Sequence, residues 1–320
     1  MPDSRPMNAE PAMQHSFSYV HHFSALFLLL SVAGGDWLIG RTPDRHELGP
    51  GMAELRFEPV ALDPRGFGPL RLAGAWRLTS DDRRVGGLSA LALSGNALVA
   101  LSDSGVVVRF AAPGPGDGRA RSEIRELPAG PGNRYFKRHR DSEALTADPA
   151  GRGWWVAFES HHELWLFDHA FDRPLRRLRL PAHGWRANRG VEGLAAADGA
   201  LLLFPEPGGW LLRLAGERLT GQRLVGSHRR LSAAAALPDG DLLVVERRPT
   251  LLGFDNRLAR LASDGHGYRR AGWTRLGLGR LDNVEGLAVE RREGGVRLWL
   301  ITDDSHQRPF RTLLVALDVR

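Results

Sequence analysis

From residue 55 onward, short apolar or alternating runs recur between polar, glycine-containing turns. Residues 284–289, 296–302 and 312–319 show the pattern best, being rich in β-branched side chains and bounded by turn formers, which is the signature of strands. Residues 55–62 and 70–78 read as two more strands around the turn Asp63-Pro64-Arg65-Gly66. Four earlier stretches repeat the start of the final module. Residues 87–91 lead to 97–101 and stop at Asp103; 142–146 lead to 154–158 and stop at Glu159; 191–195 lead to 200–204 and stop at Glu206. A degenerate copy, 234–237, leads to 241–245 and stops at Glu246. The copies recur at roughly 40–55 residues, the period of four-stranded propeller blades. No stretch sustains a helical period. The pattern predicts an all-β chain: a single β-propeller of five, or six, four-stranded blades, its ring closed by the N-terminal strands completing the last blade.

Composition narrows this picture. At 42% hydrophobic residues, the 320-residue chain can build a sizeable core, and 38 glycines with 20 prolines suit many tight turns. Residues 1–40 hold a polar segment and the apolar run 23–33, which matches the core of an export signal or a short N-terminal anchor. Residues 41–54 read as a linker and 55–320 as the propeller domain. With no cysteine, disulfides, thiolate chemistry and cysteine metal sites are excluded. The net charge of +6 comes almost wholly from scattered arginines, Lys137 being the only lysine, so no nucleic-acid partner is expected. The motifs of serine-hydrolase elbows, zinc proteases, P-loops and dinucleotide folds are missing.

In a propeller the first strand of each blade lines the central channel. Glu143, Glu192 and Glu285 stand at the start of such strands. The antiparallel second strand returns to the same end and adds Asp103, Glu159, Glu206, Glu246 and Asp303. Carboxylates gathered in one funnel stay solvated, take up protons, pair with arginine or bind a cation, and calcium, with its many oxygen ligands, suits them. Arg140, Arg189 and Arg247 lie beside these acids in sequence. They either neutralise them or present guanidinium forks to a phosphate or carboxylate. His139, His161, His162 and His306 are available as proton carriers, His306 first because it follows Asp304.

R-D-S-E-A-L-T at 140–146 with W-V-A-F-E at 155–159, N-R-G-V-E-G-L-A at 188–195, and D-N-V-E-G-L-A-V followed by L-I-T-D-D resemble the bacterial phytase-like propeller family, the "esterase-like activity of phytase" family. The resemblance implies an exported β-propeller with calcium-dependent hydrolase activity on phosphate or other esters. Metal-ligand candidates are Glu143, Glu192, Glu246, Glu285, Asp303 and Asp103. Glu159 and His306 are the catalytic candidates, and Arg140, Arg189 and Arg247 the substrate-binding ones. Two departures stand out: Ser305 occupies the place of an asparagine after the paired acids, and Glu206 lies between prolines expected to turn it from the channel. A small anionic ester, a monomeric protein, and no membrane insertion beyond an N-terminal anchor complete the expectation. A gluconolactonase-type lactonase or carboxylesterase and a non-catalytic binding propeller are the alternatives.

Overall fold

The computed structural model describes residues 49–114, 118–181, 189–224, 229–265 and 267–319. The expected export run at 23–33 and Asn188 of the resemblance motif lie outside them. The first strands among the described residues are β1 (Gly51–Pro59), which begins inside the stretch read as linker, and β2 (Arg71–Ser80). A first unit follows: β3 (Leu88–Ser94), β4 (Ala97–Ser102), β5 (Val106–Ala111) and β6 (Arg119–Glu126). The second is β7 (Ser142–Ala147), β8 (Trp154–Phe158), β9 (Glu163–Phe167) and β10 (Pro174–Arg179). The third is β11 (Val191–Ala197), β12 (Ala200–Pro205), β13 (Trp210–Ala215) and β14 (Arg218–Arg223). The fourth is β15 (Arg230–Ala236), β16 (Leu242–Thr250), β17 (Gly253–Ser263) and β18 (Tyr268–Arg275). The last is β19 (Asn283–Arg292), β20 (Gly295–Asp303) and β21 (Leu313–Val319).

The second, third and fourth units are separate four-stranded antiparallel sheets. The first and last belong to one nine-stranded sheet, ordered β19-β20-β21-β2-β1-β6-β5-β4-β3. Here β2 supplies the fourth strand of the last unit, as the pattern predicts. β1 does something else: it pairs with both β2 and β6 and splices the last unit to the first. Such splicing removes two exposed sheet edges. The strands around residues 250–280 belong to the fourth unit.

Burial explains which stretches became which strands. First and second strands are covered on both faces, so β12 is buried throughout and reads A-L-L-L-F-P. Outermost strands face water, and no residue of β10, which reads P-L-R-R-L-R, is fully buried. Apolar clusters fill the space between successive units. Leu101 and Val156 meet between the first and second, Leu164 and Leu201 between the second and third, and Phe204 and Leu242 between the third and fourth. Val245 and Leu300 join the fourth to the last, and Leu88 and Trp299 join the last back to the first. The first strands β3, β7, β11, β15 and β19 follow one another side by side, and β19 returns to β3. The arrangement is propeller-like. Among the described residues, no helix is long and apolar enough to cross a membrane.

Candidate functional site at the acidic mouth

Every first strand carries the same irregularity. Its pairing with the second strand slips by one residue near its start, leaving one residue extra: Ser89 in β3, Glu143 in β7, Glu192 in β11, Ser232 in β15 and Glu285 in β19. A bulge of this kind re-aims a side chain out of the ladder. The three glutamates singled out from sequence are therefore equivalent by structure. The serines fill the same role in the other two units and stitch neighbours together: Ser89 Oγ donates to Ser142 O at 2.6 Å, and Ser232 Oγ to Val284 O at 2.7 Å.

Two residues before each bulge, the chain meets the end of the second strand. Asp103 N donates to Gly87 O at 2.8 Å, Glu159 N to Asp141 O at 2.8 Å, and Glu206 N to Gly190 O at 2.9 Å. In the fourth and last units the equivalent pairs are Arg230 with Arg247 and Asn283 with Asp303. The fourth-unit counterpart of Glu159 and Glu206 is thus Arg247, and Glu246 stands one residue out of register. β16 does not stop at Glu246 but continues to Thr250, and a one-residue step in a strand sends the side chain to the opposite face. Glu246 instead pairs with Arg270 of β18.

The rim is consequently polarised. The second unit contributes Asp141, Glu143 and Glu159, whose carboxylate oxygens lie within 4.8 Å of one another. The fourth contributes Arg230 and Arg247. Arg230 Nη1 lies 3.1 Å from Glu206 Oε1, with Arg189 Nε 3.9 Å from Oε2. Glu206 therefore faces the mouth, and its prolines do not turn it away. Arg247 donates to Glu285 and, at 2.8 Å, to Asn283 Oδ1. Arg140 is not brought to the acids: its guanidinium donates to Pro131 O at 3.2 Å, and its side chain lies against Gly105 and Gly130.

Lys137, unique in an arginine-rich chain, sits among the acids, with Nζ 2.9 Å from Asp103 Oδ2 and 3.1 Å from Asp141 Oδ1. Burial works against its charge, but Asp103, Asp141 and Glu143 hold its pKa well above that of an ordinary lysine. The carboxylates report the same crowding. Burial, then Asp141, Glu192 and Glu285, push Glu143 well above the usual range. Glu192 is raised by burial, against the opposing charge of Arg247, with Glu285 and Glu206 adding to the rise. Burial followed by Glu192 and Asp141 pushes Glu159 up to about 10. Asp303 is raised by burial, Glu285 and Asp103, although Ser305 donates its N–H at 2.7 Å and its hydroxyl at 2.8 Å to the two carboxylate oxygens. The serine in the asparagine's place thus still holds the acid.

The His306 ring lies over Gly86 and Gly87. A Cβ on Gly87 would meet Asp103 Oδ1 at 2.7 Å and His306 Nε2 at 2.9 Å, and both glycines have positive φ. Asp304 Oδ1 anchors this turn by accepting from Gly87 N at 2.9 Å and His306 N at 3.0 Å. His139 and His161 stack edge to face with ring centres 5.1 Å apart. Burial, then His139, lowers the pKa of His161, and burial lowers that of His162.

Reading the sequence missed Asp141, Lys137, Arg230 and the two bulge serines. Asp141 stood in the R-D-S-E motif and Lys137 stood out by its rarity, so both carried a signal. The donor set fits calcium: it is all oxygen, it gathers more negative charge than Lys137 offsets, and Asp103 Oδ1 is buried with no hydrogen-bond partner.

Residues 83–306 match the family model described as "Phytase-like: Esterase-like activity of phytase". A comparison with curated proteins returned no match. Among solved structures, the major allergen Mala s 1 of Malassezia sympodialis is similar with a TM-score of 0.46 at 11% identity, over 82% of this chain and 92% of that one. Virginiamycin B lyase from Staphylococcus aureus gives 0.42 at 13% identity, over 78% and 83% respectively. Likeness of this degree carries no functional weight.

Proposed function

Because the chain belongs to the phytase-like family of esterase-like activity, we propose that it is a five-bladed propeller whose acidic mouth holds calcium and hydrolyses a phosphate ester or a related anionic ester. The single observation that carries the reading is the polarised rim, with three converging carboxylates on the second blade and arginines on the fourth. Asp141, Glu143 and Glu159 would hold the cation, with Glu192, Glu285, Asp303 and Asp103 around it. Glu159 thereby moves from a catalytic role to the ligand set. Glu246, tied to Arg270, drops out of the ligand set, and Arg140 out of the substrate-binding set.

When bound, calcium supplies the charge neutralisation that lets an anionic ester approach an acidic funnel and polarises its oxygen. The chain's own groups do the rest. Arg230 and Arg189, with side chains 41% and 36% exposed, are placed to receive the ester's anionic oxygens, while Arg247 stays locked to Glu285. Lys137 adds a compact positive charge beside Asp141. His306, held over Gly86 and Gly87, is the imidazole positioned to pass a proton to or from an attacking water or a leaving oxygen. The apolar run at 23–33 supports export as part of this reading.

The test is hydrolysis of p-nitrophenyl phosphate by the purified protein. Activity lost in a chelator and restored by calcium supports the proposal. Turnover confined to lactones or p-nitrophenyl acetate assigns the lactonase or carboxylesterase alternative, and no turnover with either substrate class leaves a binding propeller.

A further inference from the structure

The same end of the fourth sheet carries a second concentration of charge that the acidic mouth does not use. β16 and β17 run past the register of the other units, pairing Glu246 with Arg257 and Arg248 with Asp255, while β18 sets Arg275 opposite Arg257. Directly opposed residues share a sheet face, so Glu246, Arg248, Asp255, Arg257 and Arg275 lie together. Arg229 enters from the segment before β15, its Nη1 3.0 Å from Asp255 Oδ2. Arg248 Nη2 lies 3.5 Å from the same oxygen, and Arg275 Nε 3.6 Å from Oδ1. Arg257 sits over Trp273, its Cζ 3.7 Å from the ring centre, and its Nε is buried without a partner.

One carboxylate neutralises one guanidinium. Asp255 is ringed by Arg229, Arg248 and Arg275, with Arg257 alongside, and the nearby Glu246 is engaged by a fifth arginine, Arg270. Among the described residues, the four arginines around Asp255 leave an excess of three positive charges over that carboxylate. Burial, then the charge of Arg229, lowers the pKa of Arg257, as like charges held together require. Such crowding costs stability unless something else shares the charge, and planar guanidinium forks are the groups that clasp tetrahedral oxyanions. Access is open: the Arg248 and Arg275 side chains are 62% and 73% exposed, over a floor of Arg229 and Asp255 at 12% and 14%.

We propose that Arg229, Arg248, Arg257 and Arg275 form an oxyanion-binding site for the phosphate group of a phosphorylated small molecule. Asp255 holds the arginines in place when the site is empty, and Trp273 supports Arg257 from below. The proposal is independent of calcium and of hydrolysis at the mouth.

The experiment is a titration of the full chain with inorganic phosphate in chelator, read by melting temperature and calorimetry, with sodium chloride at matched ionic strength as control. Wild type should show a saturable shift that chloride does not reproduce. Arg248→Gln/Arg275→Gln changes only exposed side chains and should weaken phosphate binding by roughly tenfold or more. Asp255→Asn removes the internal competitor and should tighten it. Circular dichroism confirms that each variant is folded, and if Asp255→Asn is not, the double variant decides. Equal phosphate affinity in wild type and the double variant, or a shift matched by chloride, overturns the proposal. The calcium-induced shift of the double variant should stay that of wild type, which separates failure here from failure at the mouth.

Discussion

Replacing Arg247 by methionine tests whether the mouth is one coupled electrostatic unit. Arg247 and Glu285 have side chains only 12% and 11% exposed, and the guanidinium donates to Glu285 and Asn283. Burial disfavours the arginine's charge, yet Glu285, Glu192 and Glu206 together hold its pKa above the ordinary value. Methionine keeps the aliphatic volume and deletes the charge. Glu285 is then left with the Asn283 amide, which donates to it at 2.7 Å, and Glu192 loses the arginine charge that opposes its rise. Removing one member of a buried pair costs about 3–5 kcal/mol. Because Glu285 keeps the Asn283 amide as a donor, the expected loss is about 3 kcal/mol, a fall in melting temperature of roughly 6–12 °C for a domain of this size. Glu285→Gln alone strands the arginine and should also destabilise. The double variant Arg247→Met/Glu285→Gln should recover most of the loss, with a coupling energy of about 2 kcal/mol or more. Urea unfolding followed by tryptophan fluorescence measures all four proteins. Additivity to within about 0.5 kcal/mol would refute the coupling and, with it, the idea that the fourth blade neutralises the acids of the others.

Two further outcomes follow from the same geometry. In chelator, stability should fall as pH rises. A carboxyl whose folded pKa stands above its unfolded value stabilises the fold below the unfolded value, and that contribution drains away up to the folded one. For Glu159 the window runs from 4.5 to about 10. Each carboxyl that keeps its proton contributes a slope of about 1.4 kcal/mol per pH unit there, and a flat or rising urea midpoint between pH 5 and 8 contradicts the crowding. Gly286→Ala should cost about 1–3 kcal/mol, because its methyl would meet Ile301 Cγ2 at 2.5 Å and Leu91 Cβ at 2.8 Å; an unchanged melting temperature would show that β19 and β3 are not in close register.

The glycine prediction also explains how much was legible in the sequence. The E-G-L motif records two demands at adjacent positions: a bulged acid aimed at the mouth, and a residue without a side chain where the next first strand passes. Gly193 meets Ala234 in the same way, its Cβ position 3.0 Å from the Ala234 Cβ. First and second strands could be read because burial on both faces leaves near-continuous apolar runs. The start of β1 could not, since G-M-A-E-L-R-F is half exposed and its partner β6 lies far along the chain.

The bulge was the missing piece at the site. Without it, the repeat gives no reason to set Ser89 beside the glutamates, and L-V-V-E-R-R offers an acid, Glu246, where the fold uses Arg247. Nothing in that string marks the end of the ladder, because β16 has none there. Lys137 was visible as the only lysine, but only coordinates bring it to Asp103 and Asp141, which lie on opposite sides of it in the chain.

The central claim is that the converging carboxylates of the second blade, with the glutamates of the neighbouring first strands around them, hold a cation. Calorimetric titration of the purified full chain with calcium at pH 7.5 tests it most directly, beside Glu143→Gln and Glu192→Gln. The account predicts saturable binding by wild type with release of protons from the crowded acids, seen as a heat that varies with buffer ionisation, and weakening of roughly tenfold or more in Glu143→Gln. No saturable heat up to millimolar calcium, or identical isotherms for wild type and both variants, would contradict it.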